Sequence, residues 1–249
     1  MGEKPNFILV PHDDAPPPKP PGLLARLSGF LTARSAVAPI GRDAGSPSAW
    51  SGRPRLVFGF DATASREPAW AVARQVTDSL VRVLPGALDV ALAVHGGSHL
   101  HTFTDFTSDA NALRDRAAGI VCRAGSTRLL PILQRSLDSP GVRVVIYIGD
   151  VFEESPGQGR RLADEMGRRG MRLIVLHDTA DWMARRDAEM FLDLARRTGG
   201  CVLPFDATAP ERLREILGAA AAYAVGGMEL LRQRGDAGAL MLLRHLPDK

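Results

Sequence analysis

Leu56-Val57-Phe58-Gly59-Phe60-Asp61-Ala62-Thr63-Ala64-Ser65-Arg66 is the stretch on which the reading of this chain turns. Its first five residues are a short apolar run suited to a central strand covered on both faces. The run ends in Asp61-x-Thr63-x-Ser65, and an alanine-rich segment follows with Pro68 in its first turn, where a helix tolerates proline. A carboxylate and two hydroxyls at alternate positions on a strand-to-helix turn supply oxygen donors only. Hard cations such as magnesium take that set and keep water in the remaining positions. The thiolates and imidazoles that favour zinc are missing from the run. Alone the motif is weak, because Ser65 as a helix cap and Asp61 as an acceptor for loop amides explain it equally well.

Two further elements strengthen it. Residues 142–148 (Val-Arg-Val-Val-Ile-Tyr-Ile) read as a second central strand and end in Gly149-Asp150, which delivers another carboxylate. Between the strands, Gly125-Ser126-Thr127 opens a helix expected over 128–137, with Pro131 in its first turn. In an open parallel sheet the carboxyl ends of the strands meet at one edge, where ligands bind. Asp61, Thr63, Ser65, Thr127 and Asp150 are therefore expected to converge on one divalent cation.

In these residues the chain resembles the von Willebrand factor type A domain of the bacterial intracellular type. That family's metal ion-dependent adhesion site has a DxSxS run after the first strand, a later threonine, and an aspartate after the fourth strand. Asp61, Thr63 and Ser65 match the first motif, Thr127 the threonine and Asp150 the last carboxylate. The resemblance covers about residues 55–226. Thr63 replaces the usual first serine and keeps its hydroxyl, while Gly149-Asp150-Val151 replaces the more familiar Thr-Asp-Gly.

The resemblance implies a doubly wound, Rossmann-like α/β fold: a mostly parallel six-stranded sheet with one antiparallel edge strand. It also implies a non-catalytic adhesion or adaptor module. There, Mg2+ (or Mn2+ or Ca2+) bridges the protein to an aspartate or glutamate of a partner protein. Ser126, Glu153 and Glu154 border the donors as the expected rim of partner contact, although a solvated acidic loop also accounts for the two glutamates. Intracellular relatives work as adaptors with ATPases or chaperone-like assemblies, and such an assembly is the expected partner by analogy alone. Two alternatives stay open. One is a magnesium-dependent phosphoryl-transfer enzyme with Asp61 as nucleophile, although the second aspartate that such phosphatases use is Thr63 here and no lysine lies between Lys19 and Lys249. The other is a scaffold of the same fold with its metal site empty.

The remaining pattern alternates strand and helix. An amphipathic helix over 68–84 places Ala69, Ala73, Val76, Leu80 and Val83 on one face. A strand over 88–94, a turn at 95–98 and an alternating edge strand over 100–106 follow, then a helix over 109–120. Beyond Asp150 come a helix at 158–169, a strand at 171–177, a helix at 184–198, a strand at 201–205 and a helix at 210–224. A last helix over 228–246 is set off by Gly226-Gly227. His99 and His101 share one face of the edge strand and read as surface histidines; His177-Asp178 ends a strand at the ligand-facing edge.

The 249 residues are 45% apolar, carry a net charge of +3 and contain two cysteines, Cys122 and Cys201. A disulfide framework is not expected, and a reducing, cytoplasmic location fits. Arginine pairs are spread over several helices among acids, without the concentrated basic footprint of nucleic-acid binding. No segment is long and apolar enough to span a bilayer, and GxxxxGK[ST] is missing. Residues 1–54 hold ten of the 18 prolines and read as a largely flexible segment. Within it, 22–35 has apolar residues at helical spacing, suited to a short amphipathic helix that docks a partner, anchors weakly at a membrane interface or packs back on the domain. Residues 227–249 are a helical extension.

Overall fold

The computed structural model of the chain describes residues 50–179 and 182–247, with residues 182 and 183 described by backbone alone. The expected helix at 22–35 and most of the proline-rich segment lie outside the described residues. Of that segment's end, Trp50 is described: the Arg55 guanidinium lies 4.1 Å from the centre of its ring.

Along β1 (Arg55–Asp61), Leu56, Phe58 and Phe60 join one buried cluster and Val57 joins the other. The same alternation holds in β4 (Val142–Gly149), where Val144, Ile146 and Ile148 oppose Val145 and Tyr147. A strand buried on both faces with period two belongs in the middle of a sheet. The other strands are β2 (Asp89–Gly96), β3 (His99–Phe103), β5 (Arg172–His177) and β6 (Cys201–Pro204), in the spatial order β3-β2-β1-β4-β5-β6. β1 pairs in parallel with both β2 and β4, and only β2 and β3 are antiparallel. This is the expected doubly wound sheet with one antiparallel edge strand.

Helices cover both faces. One layer holds α1 (Glu67–Val76), α2 (Ser79–Arg82), α3 (Ala110–Ala118), α7 (Pro210–Arg234) and α8 (Ala237–His245); the other holds α4 (Leu129–Leu137), α5 (Pro156–Arg168) and α6 (Trp182–Arg197). Several boundaries differ from the sequence reading, among them the edge strand expected over 100–106, which runs from His99 to Phe103. The helix expected over 68–84 is broken after Val76, where Thr77 Oγ1 donates to Ala73 O (2.8 Å) and Ser79 Oγ to Val76 O (2.5 Å). Hydroxyls that bond back to helix carbonyls favour such breaks. β2 runs through His95 and Gly96, so the turn to β3 shrinks to Gly97 and Ser98, both with positive φ as a two-residue hairpin requires. The last helix comes as two: α7 bends at Gly227 (φ +62) and ends at Gly235 (φ +64), and α8 follows. Leu231, Leu242 and Leu246 from this final stretch enter the same core as β1.

Asp109 caps α3 by accepting from Asn111 N (2.8 Å) and Ala112 N (3.4 Å). Asp109→Ala removes that acceptor from a surface helix and should cost about 1 kcal/mol in urea unfolding. An unchanged midpoint would mean that α3 does not rely on the cap.

Candidate functional site

The strand order places the crossover point between β1 and β4, because the chain winds outward from this pair in both directions. Open α/β sheets bind ligands in the crevice beyond such a pair's carboxyl ends. Phe60 stands beside Ile148 in the register, so Asp61 and Asp150 leave neighbouring strands one residue apart in height. Asp61 is fully buried. Its Oδ1 accepts the Thr63 N–H at 2.9 Å, while Oδ2 is buried with no hydrogen-bond partner. Thr63 is buried, Ser65 is exposed, and their hydroxyls lie 3.4 Å apart. Ser65 belongs to a 3-10 turn (Ala64–Arg66), so it does not cap α1. Asp150 Oδ1 accepts the Val151 N–H at 2.8 Å. Burial raises both carboxyls above their usual range, and the two interact directly, which makes this a pair of facing acids in one crevice.

Thr127 lies in the loop before α4, and the contacts it makes are with Glu153 in the loop that follows β4. It is buried; its N–H donates to Glu153 Oε2 at 2.8 Å, and its hydroxyl accepts the Glu153 N–H at 3.2 Å. The α4 N-terminus has no side-chain cap of its own. Glu154 Oε2 serves it from outside, accepting the Leu130 N–H at 2.8 Å. The two glutamates differ: Glu153 is exposed, as a solvated acidic loop has it, and also accepts the Thr127 amide, whereas the half-buried Glu154 satisfies a free amide at the α4 N-terminus, where negative charge is favoured. Ser126 is half-buried and its N–H donates to Ser98 Oγ at 3.0 Å, tying this loop to the β2–β3 turn.

Sequence reasoning missed three neighbours. His95 is fully buried beside Asp61, with Nδ1 3.6 Å from Asp61 Oδ1 and Nε2 2.8 Å from the Tyr147 hydroxyl. Burial lowers its pKa to about 4 and holds it neutral. A neutral ring fits both neighbours when Tyr147 donates to Nε2 and the Nδ1–H faces Asp61. Arg66 is also buried, and its Nη1 lies 2.6 Å from Asp178 Oδ2 and 3.8 Å from Asp150 Oδ2. His177, noted from sequence only as the end of a strand, sends Nε2 to Asp150 O at 2.9 Å. A lone histidine in an apolar strand carries no signal for such a role, and Arg66 looks like any other arginine of this arginine-rich chain. His99 and His101 are exposed, with rings 6.0 Å apart, as surface histidines should be.

No family model and no curated protein sequence matches the chain. Solved structures do. A von Willebrand factor type A protein from Catenulispora acidiphila superposes with a TM-score of 0.56 at 15% identity, over 69% of this chain and 43% of that one. The chain adopts a von Willebrand factor A-like fold. An aerotolerance-related membrane protein from Bacteroides fragilis NCTC 9343 matches with a TM-score of 0.51 at 16% identity, over 68% of this chain and 98% of that one. The VWA domain of SpRpn10 matches with a TM-score of 0.51 at 13% identity, over 65% and 95%. This chain thus spans less than half the length of the Catenulispora protein and nearly all of the other two.

Within this VWA-like domain the donors fit a hard cation better than a soft one. Among the described residues no group of three or more His, Cys, Asp and Glu side chains could hold a metal. A cation at Asp61 and Asp150 would have to fill its shell from neutral oxygens such as the Thr63 and Ser65 hydroxyls and from water, a set that suits magnesium. The donorless Asp61 Oδ2 is the free oxygen such an ion needs. Cys122 and Cys201 are both free thiols. Among the described residues no helix is long and apolar enough to cross a membrane.

Proposed function

We propose that this VWA-like domain is a non-catalytic protein-binding module. In this reading Asp61, Thr63, Ser65, Thr127 and Asp150 hold Mg2+ (or Mn2+ or Ca2+), and an acidic side chain of a partner protein completes the ion's shell. One observation carries the reading: a fully buried carboxylate oxygen, Asp61 Oδ2, has no donor, and the Asp150 carboxyl lies beside it. Leaving such an atom unpaired costs stability that a bound cation restores. Two carboxylates neutralise a divalent ion, and the exposed Ser65 marks the side from which a further ligand can arrive. Ser126 and the exposed Glu153 would form the rim that the partner touches, whereas Glu154 is spent on an α4 amide.

Phosphoryl transfer is the weaker use of the same residues. A fully buried Asp61, with Oδ1 engaged by the Thr63 amide, is poorly placed to attack phosphorus in line. A cytoplasmic adaptor working with an ATPase or chaperone-like assembly is the biological setting that we attach to this reading, by analogy of fold.

The test is calorimetric titration of Mn2+ into the full chain, followed by titration of an aspartate-containing peptide in Mn2+ and in chelator. Peptide binding that appears only with the ion supports the module. Ion binding with no carboxylate dependence reduces the site to a structural one, and no ion binding at millimolar Mn2+ removes the reading.

A further inference from the structure

A buried arginine stands where the ion's charge would act. Arg66 follows Ser65 directly, closes the 3-10 turn through its N–H to Thr63 O (2.9 Å), and is only 6% exposed. From there its side chain reaches over the end of β4 to the loop after β5, where Nη1 donates to Asp178 Oδ2 at 2.6 Å. The same Nη1 lies 3.8 Å from Asp150 Oδ2, the oxygen left over when Oδ1 takes the Val151 amide. The guanidinium carbon also sits 5.9 Å from the centre of the Phe205 ring.

The rest of the guanidinium is poorly served. Both Nε and Nη2 are buried without a hydrogen-bond partner. Buried charges are normally saturated by partners, since each unmet N–H forfeits its hydration. A side chain kept under those conditions beside two facing carboxylates supplies charge to them. Its field stabilises the ionised forms of both Asp61 and Asp150.

We propose that Arg66 is a built-in competitor of the divalent cation and so sets how tightly this site holds it. This rests on the metal-dependent reading above. An ion that binds Asp150 through Oδ2 must share that oxygen with the guanidinium and endure its like charge a few ångströms away. The ion alone is therefore held weakly. An incoming carboxylate adds the negative charge that offsets Arg66, so ion and acidic partner bind cooperatively. Asp178 modulates the competition, because its carboxylate draws the guanidinium away from Asp150.

The experiment is Mn2+ titration of the full chain, read by calorimetry and by thermal unfolding, in wild type, Arg66→Lys, Arg66→Met and Asp178→Asn. Removing the charge in Arg66→Met should tighten Mn2+ binding about tenfold, the scale on which one nearby charge moves an ionic equilibrium. Arg66→Lys keeps the charge and should stay near wild type. Asp178→Asn frees the guanidinium to lean on Asp150 and should weaken binding several-fold, a change that also covers the case in which Arg66→Met folds poorly. Equal affinity in wild type and all variants that fold would overturn the inference and leave the metal site standing. Binding in Arg66→Met alone would support the competition and show that the wild-type site is blocked by its own arginine. No binding in any variant would remove the metal reading, and this inference with it.

Discussion

Asp61→Asn should yield a protein that no longer responds to divalent ions yet unfolds in chelator no earlier than wild type. The two halves of this result have separate causes. Asparagine keeps an oxygen for the Thr63 amide, which Asp61 Oδ1 now accepts at 2.9 Å, so the turn survives. It removes one of the two charges that a cation needs, so the metal response disappears. In wild type, Mn2+ at a hundredfold excess over its dissociation constant should add about 2.7 kcal/mol, or roughly 5–10 °C in a domain of this size. In chelator the sign reverses. Burial raises the folded-state pKa of Asp61, so the folded protein binds that proton more tightly than the unfolded chain does. That contribution is fully present below the unfolded value of 3.8 and is lost as pH rises through the higher folded value. Near neutrality wild type carries facing buried charges that Asp61→Asn lacks, and the variant should gain about 1 kcal/mol there. The advantage should vanish at acid pH. A variant that is much less stable than wild type in chelator at neutral pH would show that Asp61 is held for structure rather than for a ligand.

The parts of the fold visible in the sequence were those set by short-range periodicity. The short continuous apolar runs of β1 and β4, buried on both faces, with Asp61 and Asp150 at their ends, are enough to put both carboxylates at one sheet edge. The features that escaped are tertiary. Thr77 and Ser79 break a helix through their own hydroxyls, yet neither residue type forces a break. Glu154 reads in sequence as part of a solvated loop, and only the approach of α4 gives its carboxylate the Leu130 amide to accept from. His95 and Tyr147 sit on different strands 52 positions apart, and nothing in either strand announces that they meet. Arg66 is the sharpest case. Its meaning comes from Asp178, 112 positions away, and from Asp150 between them.

Gly149→Thr is the substitution that the family resemblance recommends, since Thr-Asp is the more familiar pair at this point; it should nonetheless destabilise the protein badly. A Cβ at position 149 would lie 2.5 Å from Tyr147 Cε1 and 2.7 Å from both Cζ and the hydroxyl oxygen. Glycine stands there because the fully buried Tyr147 ring leaves no room for a side chain. The ring is also fixed in place: its hydroxyl is bonded to His95 Nε2, and its centre is 6.1 Å from that of Phe191. Such overpacking costs about 3 kcal/mol, measured as a shift in the urea midpoint. Because Gly149 precedes Asp150, the strain should also displace the carboxylate and weaken Mn2+ binding about tenfold, the penalty expected of a small misplacement at a site. Tyr147→Phe on the Gly149→Thr background should bring no rescue, because the ring carbons that clash remain. Tyr147→Val should recover more than about 1 kcal/mol of the cost of Gly149→Thr in a double-mutant cycle, since residues in contact couple on that scale. If Gly149→Thr proved as stable as wild type, the ring would have to be free to move, and the pairing of Tyr147 with His95 beneath Asp61 would lose its claim to hold the crevice in shape.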